Sequence, residues 1–351
     1  MSEQEMNPSQ QLSVPKEQSP LEVMLLLIGG FWMSRAISAA ASLGLADCLK
    51  SGPRSLTQLA TLTGTHAPSL HRLLRTLVSV GIFEEEAPEL YRTTALGSTL
   101  ETDSPGSVRA MAIGQLGSEH YRAWGELLYS LKTGFPAFHK LFDMSVWDYY
   151  KQHPENATNF QEVMASLTAM VDSAVLAAAD CADCSVIVEV GGGHGDLLGS
   201  LLARYPQARG ILLDLPIQVE ATTERFAEAG LAERCRVEGG DFMTSVPEGG
   251  DFYLLKWVLH DWDDEASLRI LRNCFAAMQP GGRLWLIESI IPEDTSPSVS
   301  KLLDLNMLVI TGGRERTVSE YRGLIEQAGL CFVGVTRTET LVSIIEARKN
   351  S

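Results

Sequence analysis

The sequence predicts an α/β protein with a doubly wound, mostly parallel β-sheet in its C-terminal half and a winged-helix region before it. From residue 185 onward, short β-branched runs alternate with amphipathic helical segments, which is typical of a parallel sheet covered by helices. The last two runs follow one another without room for a helix, so they should form an antiparallel edge hairpin. Nearer the N-terminus, two short amphipathic helices surround a tight turn and precede a hairpin-like pair of segments.

The composition is that of a globular protein and argues against several functions. The chain has 351 residues, which is comfortable for two domains, and 45% of them are hydrophobic. A formal net charge of −16 argues against binding to nucleic acid phosphates, which needs clustered Lys and Arg. The polar N-terminus lacks the apolar segment of a secretory signal, and the apolar run from Met24 to Trp32 is about half a membrane span. We therefore expect a cytoplasmic protein that binds neither nucleic acid nor a membrane.

The cysteines fit a reducing compartment. Cys181 and Cys184 form a C-x-x-C pair, but no second pair or histidine cluster lies nearby in the sequence to complete a zinc site. We therefore expect structural or incidental thiols and no metal.

The N-terminal region predicts a helix that is followed by a helix-turn-helix. The apolar pattern over residues 20–48 predicts a helix interrupted around Gly29 and Gly30. Two short amphipathic helices, at 55–60 and 67–77, then flank a tight turn, and the second has a proline in its first turn.

A small hairpin completes the winged-helix outline. Residues 81–83 and 90–94 predict its two strands, with the acidic stretch 84–89 between them. Residues from about 105 to 180 predict further helices that are rich in aromatic side chains.

The C-terminal half predicts seven strands, most of them separated by amphipathic helices. They are Val186–Val190, Gly210–Leu213, Arg236–Glu238, Asp251–Leu255, Arg283–Ile287, Cys331–Val335 and Leu341–Ala347.

A glycine-rich turn after the first of these strands predicts a nucleotide-type cofactor site. Gly191 and Gly193 belong to a run in which the backbone can turn tightly and approach a ligand closely. Glu189 precedes this run, and Asp214 ends the second strand, where a carboxylate can accept the hydroxyl protons of a ribose. Asp241 follows the third strand, and the aromatic ring next to it suits an adenine. An acid-rich rim favours a sulfonium cofactor over a dinucleotide, which needs a pyrophosphate site.

A histidine after the fourth strand predicts a general base. His260 lies at the carboxyl end of a sheet strand, where ligands bind in such folds, and histidine accepts protons near neutral pH. A phenol with a pKa of about 10 lies roughly 3.5 units above an ordinary histidine, so the imidazole must become more basic or transfer must be concerted with attack. Glu288 after the fifth strand and Glu315 can supply the stabilising charge.

These motifs resemble those of the plant caffeate-type O-methyltransferases and their bacterial relatives that act on natural products. The resemblance rests on residues 188–195, 214–216, 239–242, 256–262 and 312–317, and it extends from about residue 20 to the C-terminus. The ending Thr311–Thr317 is closer to the bacterial branch. The resemblance implies a class I, Rossmann-like methyltransferase fold with an antiparallel edge strand.

The resemblance also implies a domain order and a homodimer. The winged helix of that family forms an intertwined dimer with the first helix and does not bind DNA. The predicted divisions are a disordered tail (1–20), a winged-helix dimerisation domain (21–104), a helical linker that contributes to the substrate pocket (105–180) and a catalytic domain (181–351).

The activity implied is in-line methyl transfer from S-adenosyl-L-methionine to a hydroxyl, phenolic in kind, on a small aromatic secondary metabolite, without a metal and with S-adenosyl-L-homocysteine as product. His260 is the implied base, with Glu288 and Glu315 flanking and orienting its ring. The predicted cofactor-binding residues are Glu189, Gly191, Gly193, Asp214, Leu215, Asp241, Phe242 and Lys256.

The predicted acceptor-binding residues are Trp147, Phe160, Met164, Asp261, Asn306 and Met307. Phe160 and Met164, four residues apart on a helix, are equally compatible with plain core packing, and Trp147 with the core or a dimer interface. Plant members often have a histidine where this chain has Leu167, which indicates a larger or more apolar aromatic than a hydroxycinnamate.

Three other functions fit parts of the sequence. Some relatives of the fold use S-adenosylmethionine without transferring its methyl group, in hydroxylation or decarboxylation, but His260 with both glutamates would then have no obvious task. A winged-helix transcriptional regulator is disfavoured because residues 45–100 hold five basic and five acidic residues. An NAD-dependent dehydrogenase is disfavoured by Asp241. The acceptor atom, oxygen, nitrogen or carbon, stays open.

Overall fold

The computed structural model describes residues 19–104 and 106–350, apart from the side chains of Ser118, Gln161, Glu162, Ala165 and Ile217. Of the tail predicted for residues 1–20, the first eighteen residues lie outside these ranges. The chain divides into two compact units. The N-terminal unit contains residues 19–125 and Leu141–Ala169, and the sheet unit contains Glu126–Lys140 and residues 170–350. The predicted divisions at residues 20, 104 and 180 stay predictions.

The helices, in chain order, are α1 (Pro20–Ser42), α2 (Leu45–Leu49), α3 (Leu56–Thr63), α4 (Ala67–Ser79), α5 (Ala95–Ser98), α6 (Arg109–Gly114), α7 (Ser118–Trp124), α8 (Leu127–Thr133), α9 (Ala137–Phe142), α10 (Val146–Gln152), α11 (Pro154–Ala178), α12 (Asp196–Arg204), α13 (Val219–Glu228), α14 (Asp264–Ala277), α15 (Val299–Ile310) and α16 (Val318–Gln327). The strands are β1 (Arg54–Ser55), β2 (Phe83–Ala87), β3 (Leu90–Thr93), β4 (Val186–Val190), β5 (Arg209–Asp214), β6 (Cys235–Gly239), β7 (Phe252–Lys256), β8 (Arg283–Glu288), β9 (Cys331–Arg337) and β10 (Ser343–Arg348).

Helix α1 continues through Gly29 and Gly30, so the predicted interruption there is wrong. Ser19 and Glu22 form a reciprocal capping box: the Ser19 hydroxyl accepts from the Glu22 amide, and the Glu22 carboxylate accepts from the Ser19 amide. Each glycine costs roughly 1 kcal/mol relative to alanine, which is too little to break a well-capped helix of 23 residues. By length and composition alone, α1, which lies near the N-terminus, could cross a membrane.

The N-terminal unit contains the predicted winged-helix arrangement. In its described residues, β1, β3 and β2 form an antiparallel sheet beside α3 and α4. The acidic stretch predicted as the hairpin loop is mostly strand, since β2 extends to Ala87 and only residues 88–89 turn. The glutamates tolerate an extended conformation because they are exposed and because Arg92 on β3 pairs with Glu84 and Glu86.

The sheet unit contains every strand predicted after residue 185, with ends that differ by at most two residues. Within its described residues, the strand order is β6-β5-β4-β7-β8-β10-β9. Strands β4 to β8 are parallel, and β10 pairs antiparallel with both β8 and β9, which confirms the predicted hairpin. Apolar side chains of both faces are buried under helices, with Val188, Leu255 and Leu286 on one face and Ile187, Leu254 and Ile287 on the other.

This topology fixes where a ligand can bind. The chain places β5 on one side of β4 and β7 on the other, so the strand order reverses at β4. Ligands of open α/β sheets bind at the carboxyl ends of strands beside such a reversal. The carboxyl ends of β4, β5, β7 and β8 carry Val190, Asp214, Lys256 and Glu288, three of which are predicted site residues.

Candidate active site

In the glycine-rich loop after β4, one glycine is required by helix packing and another leaves the backbone open to a ligand. Gly191, Gly193 and Gly195 have φ values of 70°, 54° and 74°, a left-handed conformation that side chains rarely adopt. At Gly195 an added Cβ would lie 2.4 Å from the Phe226 ring, so close helix packing requires glycine there. At Gly193 a Cβ would meet nothing within 4 Å, so the backbone there is open to a ligand.

Two backbone-held carboxylates flank this loop. Asp214 accepts hydrogen bonds from the amides of Gly193 at 2.7 Å and Leu215 at 2.6 Å, one on each carboxylate oxygen. Asp241 is exposed and accepts from the Met243 amide at 2.8 Å. A carboxylate has about four acceptor positions, so both groups keep capacity for ligand hydroxyl or amino protons.

The side chains beside these acids are apolar. Leu215 is 52% exposed, and the half-buried Phe242 ring packs edge-on against Trp262 at a centroid distance of 6.0 Å. An exposed aliphatic group and a fixed ring face suit the adenine of a nucleoside. The residues present therefore fit the cofactor that the sequence predicts.

A buried charge cluster lies at the ends of β4 and β7. The Lys256 ammonium lies 2.5 Å from the Asp172 carboxylate on α11, and both side chains are about nine-tenths buried. Glu189 is 1% exposed, with one oxygen accepting from the Leu198 amide at 3.3 Å. Its other oxygen has no partner among the described residues. Burial raises the pKa of Glu189 to about 8, against the lowering effect of the Lys256 charge.

The sequence analysis missed Asp172. Its only signal is a single acid in an otherwise apolar stretch of α11, Ala169-Met170-Val171-Asp172, and the pattern does not reveal its partner 84 residues away. The ion pair fixes the Lys256 side chain, because an unpaired charge at this depth would be strongly unfavourable.

His260 follows β7 in a single helical turn, Leu259–Asp261. Its Nδ1 lies 3.0 Å from Glu315 Oε1, and its Nε2 lies 3.9 Å from Asp261 Oδ1. Glu288 binds the backbone of the histidine turn. Its Oε1 accepts hydrogen bonds from the amides of Val258 at 3.1 Å and Leu259 at 2.9 Å. Glu315 thus contacts the ring, whereas Glu288 holds the segment that carries it.

The carboxylates dominate the electrostatics of this histidine. Burial lowers the pKa of His260, but the charge of Asp261, the hydrogen bond to Glu315 and the charges of Glu288 and Glu315 together raise it to about 10. Burial raises the pKa of Glu288 to about 7 and that of Asp261 to about 6. One ligand atom from each of His260, Glu288 and Glu315 lies within 4.8 Å of the others, so the two carboxylates lie close enough to act on the imidazole.

Arg316 is a structural residue that the sequence analysis missed. It is fully buried and donates to the carbonyls of Leu259 at 3.0 Å and Trp262 at 2.8 Å. Its guanidinium also pairs with Asp264 at 2.8 Å. Because Arg316 directly follows Glu315, one short segment supplies both the ring's partner and the anchor of the histidine turn.

The glycines before this segment allow its close approach. A Cβ at Gly313 would lie 2.0 Å from the His260 carbonyl oxygen, a distance that no side chain permits. The next amide, of Arg314, donates to that same carbonyl at 2.8 Å. A glycine at position 313 is therefore required for this segment to bring Glu315 to the histidine ring.

The predicted acceptor-binding residues lie in both units. In the N-terminal unit, the Trp147 ring packs edge-on against Phe160 at 5.9 Å, and Met164 lies one turn after Phe160 on α11. In the sheet unit, Asn306 and Met307 are half-buried on α15. Their role in acceptor binding stays a prediction.

Comparisons with known proteins identify the family. The model of the O-methyltransferase domain family matches residues 124–331, and that of the O-methyltransferase dimerisation domain matches residues 25–103. A phenazine O-methyltransferase from Lysobacter antibioticus is 41% identical, over 93% of this chain and 95% of its own length. The solved structure of a mitomycin 7-O-methyltransferase superposes with a TM-score of 0.85 and 38% identity, covering 94% of this chain and 97% of the other.

One relative is named for hydroxylation and not for methylation. An aclacinomycin 10-hydroxylase from Streptomyces purpurascens is 37% identical, over 89% of this chain and 85% of its own length.

The chain belongs to the O-methyltransferase family, as its motifs predict. It is an S-adenosylmethionine-dependent enzyme with a class I methyltransferase fold and an N-terminal dimerisation domain, and its curated relatives are bacterial natural-product enzymes.

We expect Arg316→Met to lower the free energy of unfolding by about 1–3 kcal/mol, because the buried carbonyls of Leu259 and Trp262 lose their donor. Urea denaturation of the purified variant measures this difference. Arg314→Met is the matched control, since Arg314 is 44% exposed and its loss should change stability by less than about 0.5 kcal/mol. Equal effects of the two substitutions would contradict the anchoring role.

Proposed function

We propose that this enzyme methylates a phenolic hydroxyl of a small, multi-ring aromatic metabolite, with His260 as the general base. The observation that carries the proposal is the buried carboxylate group around His260, which raises the pKa of the imidazole to about 10. An ordinary phenol has a pKa near 10, so proton transfer from the acceptor to His260 is close to balanced in free energy.

The hydrogen bond to Glu315 supports one assignment of roles within the ring. A carboxylate at Nδ1 stabilises the tautomer that carries its proton there, which leaves the Nε2 lone pair to accept a proton. Once Nε2 is protonated, the imidazolium is stabilised by Asp261, Glu288 and Glu315. Glu288 and Arg316 hold the backbone turn, so they position the base without contacting the reacting atoms.

The predicted cofactor residues form the other half of the proposed site. Bound S-adenosylmethionine supplies an electrophilic methyl group on a positively charged sulfur. Asp214 and Asp241 would bind its hydroxyl and amino protons, and Leu215 and Phe242 its adenine. The loop backbone at Gly191 and Gly193, together with Glu189 and the paired Lys256, would bind its amino-acid part.

Two observations favour a planar, apolar aromatic acceptor. A relative is named for O-methylation of phenazine, which favours a planar aromatic acceptor. Leu167 takes the place of a histidine of plant members, which favours an apolar aromatic acceptor.

The relative named as a hydroxylase supports a second candidate, in which the cofactor stays intact. A screen with methyl-labelled S-adenosylmethionine against simple and polycyclic phenols separates the two. Label on a phenolic oxygen supports methylation, whereas tight cofactor binding without label on any phenol contradicts it.

We expect His260→Ala to bind S-adenosylmethionine with unchanged affinity while methyl transfer slows roughly 10²–10⁴-fold, because the acceptor loses its proton acceptor. Calorimetry measures the binding, and single-turnover kinetics with the best phenol of the screen measures the transfer. His139→Ala removes an exposed histidine as a control and should leave both unchanged. Near-normal transfer in His260→Ala would remove His260 as the base.

We further propose that a homodimer covers the first half of α1, in the cytoplasm. The helix exposes long apolar side chains around its whole circumference: Leu21, Met24, Leu25, Leu26, Leu27, Ile28, Phe31 and Trp32. A helix that is apolar all round is stable in water only when something covers it. The match of residues 25–103 to a dimerisation domain favours a second copy over a membrane.

We expect Trp32→Glu to weaken the dimer at least tenfold, because a charge would be buried in an apolar contact. Trp32 is 70% exposed in the single chain, and the control Leu62→Glu alters a side chain on α3 that is 55% exposed. Sedimentation equilibrium measures association, and flotation with phospholipid vesicles tests the membrane. A monomeric wild-type protein, or vesicle binding through α1, would contradict the proposal.

A further inference from the structure

The C-x-x-C pair of the sheet unit forms a turn in which the two thiols meet. Cys181 and Cys184 are free thiols in the link between α11 and β4, and the Cys184 amide donates to the Cys181 carbonyl at 3.1 Å. The two thiols also hydrogen-bond to each other. A β-turn keeps its end Cα atoms less than about 7 Å apart, which is the range that a disulfide can bridge. The backbone therefore holds the pair ready for a disulfide.

A guanidinium group lies against one of the two sulfurs. Arg283 Nη2 donates to Cys184 Sγ at 2.9 Å and to the Asp180 carbonyl at 3.0 Å. The guanidinium also lies over the Phe252 ring, 4.9 Å from its centroid. Its one carboxylate contact at this site, with Asp183 at 3.3 Å, involves a side chain that is 85% exposed, and solvent weakens such a pair. The buried Cys184 sulfur is thus a natural counter-ion for Arg283.

These contacts divide the protons unequally between the two thiols. The hydrogen bond with Cys181 and the contact with Arg283 lower the pKa of Cys184, although burial opposes them. The hydrogen bond with Cys184 and burial both raise the pKa of Cys181. Cys184 is therefore the sulfur that becomes a thiolate, and Cys181 keeps the proton that it donates to it. A thiolate beside a cation, with a second thiol in reach, is the arrangement typical of cysteines that oxidise reversibly.

Other features of the chain set this pair apart from incidental thiols. Burial raises the pKa of both Cys235 and Cys274 to about 12, which makes them inert. Within the described residues, the set of three or more side chains that could hold a metal surrounds His260 and does not include the pair. The sequence alone favours incidental thiols, and the contact with Arg283, 99 residues from Cys184, is the observation that changes this interpretation.

The pair lies just below the surface, away from the candidate active site. Cys181 is fully buried and Cys184 is 4% exposed, but Ala182 and Asp183 between them are exposed. A surface turn opens at a lower free energy than the core, so a small oxidant can reach the sulfurs. The turn precedes the amino end of β4, whereas the candidate active site lies at the carboxyl ends of the strands. The inference below therefore does not depend on the proposed function.

We propose that Cys181 and Cys184 form a reversible disulfide on exposure to hydrogen peroxide, with Cys184 as the attacking sulfur and Cys181 as the resolving thiol. The Cys184 thiolate attacks a peroxide oxygen, the O–O bond breaks and hydroxide leaves, which gives a sulfenic acid. The Cys181 sulfur then attacks the Cys184 sulfur, the S–O bond breaks, and the thiol proton leaves with the hydroxide as water. In total the thiols lose two electrons and two protons, and the peroxide becomes two water molecules.

The wild-type enzyme provides its own control in Cys331, which is exposed and contacts the Asn350 side chain. Despite its burial, the pair should oxidise roughly tenfold faster than Cys331 in dilute peroxide, because Cys184 is the better nucleophile. Alkylation after denaturation, followed by mass spectrometry, measures the thiols that remain. The tryptic peptide 152–204 contains Cys181 and Cys184 and no other cysteine, so the disulfide removes two hydrogen atoms from it, and dithiothreitol restores them. Oxidation of Cys331 while the pair stays reduced would overturn the proposal.

Single cysteine substitutions test the roles of the two sulfurs. In Cys181→Ser the sulfenic acid on Cys184 has no resolving thiol, so dimedone should label Cys184 after peroxide treatment. In Cys184→Ser the remaining Cys181 should stay unlabelled, because its thiol keeps its proton. Label on Cys181 instead of Cys184, or on neither, would overturn the assignment.

Substitution of the arginine tests the role of the cation. Arg283→Met should slow disulfide formation roughly tenfold, and Arg283→Lys should restore most of the rate because it keeps a positive charge. Arg209→Met is the matched control, since Arg209 is an exposed arginine at the start of the neighbouring strand β5. Equal rates in Arg283→Met and Arg209→Met would contradict activation by Arg283. If the Arg283 variants do not fold, the wild-type comparison of the pair with Cys331 decides.

Discussion

The hydrogen bond between His260 and Glu315 is the interaction on which the geometry of the site depends. It joins two segments 55 residues apart in the chain, the turn after β7 and the loop after α15. The approach is possible because Gly313 has no side chain at its contact with the His260 carbonyl. Arg316 and Glu288 then hold the backbone of the histidine turn from two sides, through its carbonyl and amide groups. The ring position is thus determined by main-chain contacts as much as by its own partner.

Two opposing effects determine the pKa of His260. Burial favours a neutral histidine, and three nearby carboxylates favour the imidazolium; the charges prevail and the pKa of His260 rises to about 10. A more basic imidazole takes a phenolic proton more easily, but a smaller share of it is neutral at pH 7. In the proposed mechanism, only a small share of His260 can accept a proton at pH 7, so activity should increase with pH through the alkaline range.

The sequence predicted most of the fold because each strand of the sheet unit carries a local signal. The β-branched runs bounded by turns predict all the strands from Val186 to Arg348, and the short link before Ser343 predicts an antiparallel pair. Local signals failed where tertiary or capping contacts decide the conformation. The glutamates of β2 are poor strand formers that Arg92 stabilises from β3, and the glycines of α1 do not outweigh its capping box.

The site was predictable where function requires a residue type at a strand end. Asp214, Lys256 and Glu288 end parallel strands, and His260 follows one, so their meeting at one edge follows from topology. The partners that hold them were not predictable. Asp172 pairs with Lys256 across 84 residues, and Arg316 reaches Leu259 across 57. No periodic pattern encodes these pairs, because each depends on how separate helices and loops pack.

We propose that buried carboxylates make His260 a base strong enough for a phenol. The most direct test is a ¹⁵N NMR titration of the His260 imidazole in the wild-type enzyme and in Glu315→Gln. We expect the wild-type ring to stay protonated at pH 8 and to titrate with a pKa of about 10, and the variant to titrate at lower pH because one carboxylate charge is gone. A wild-type titration near 6.5, the ordinary value for histidine, with no change in the variant, would contradict the account.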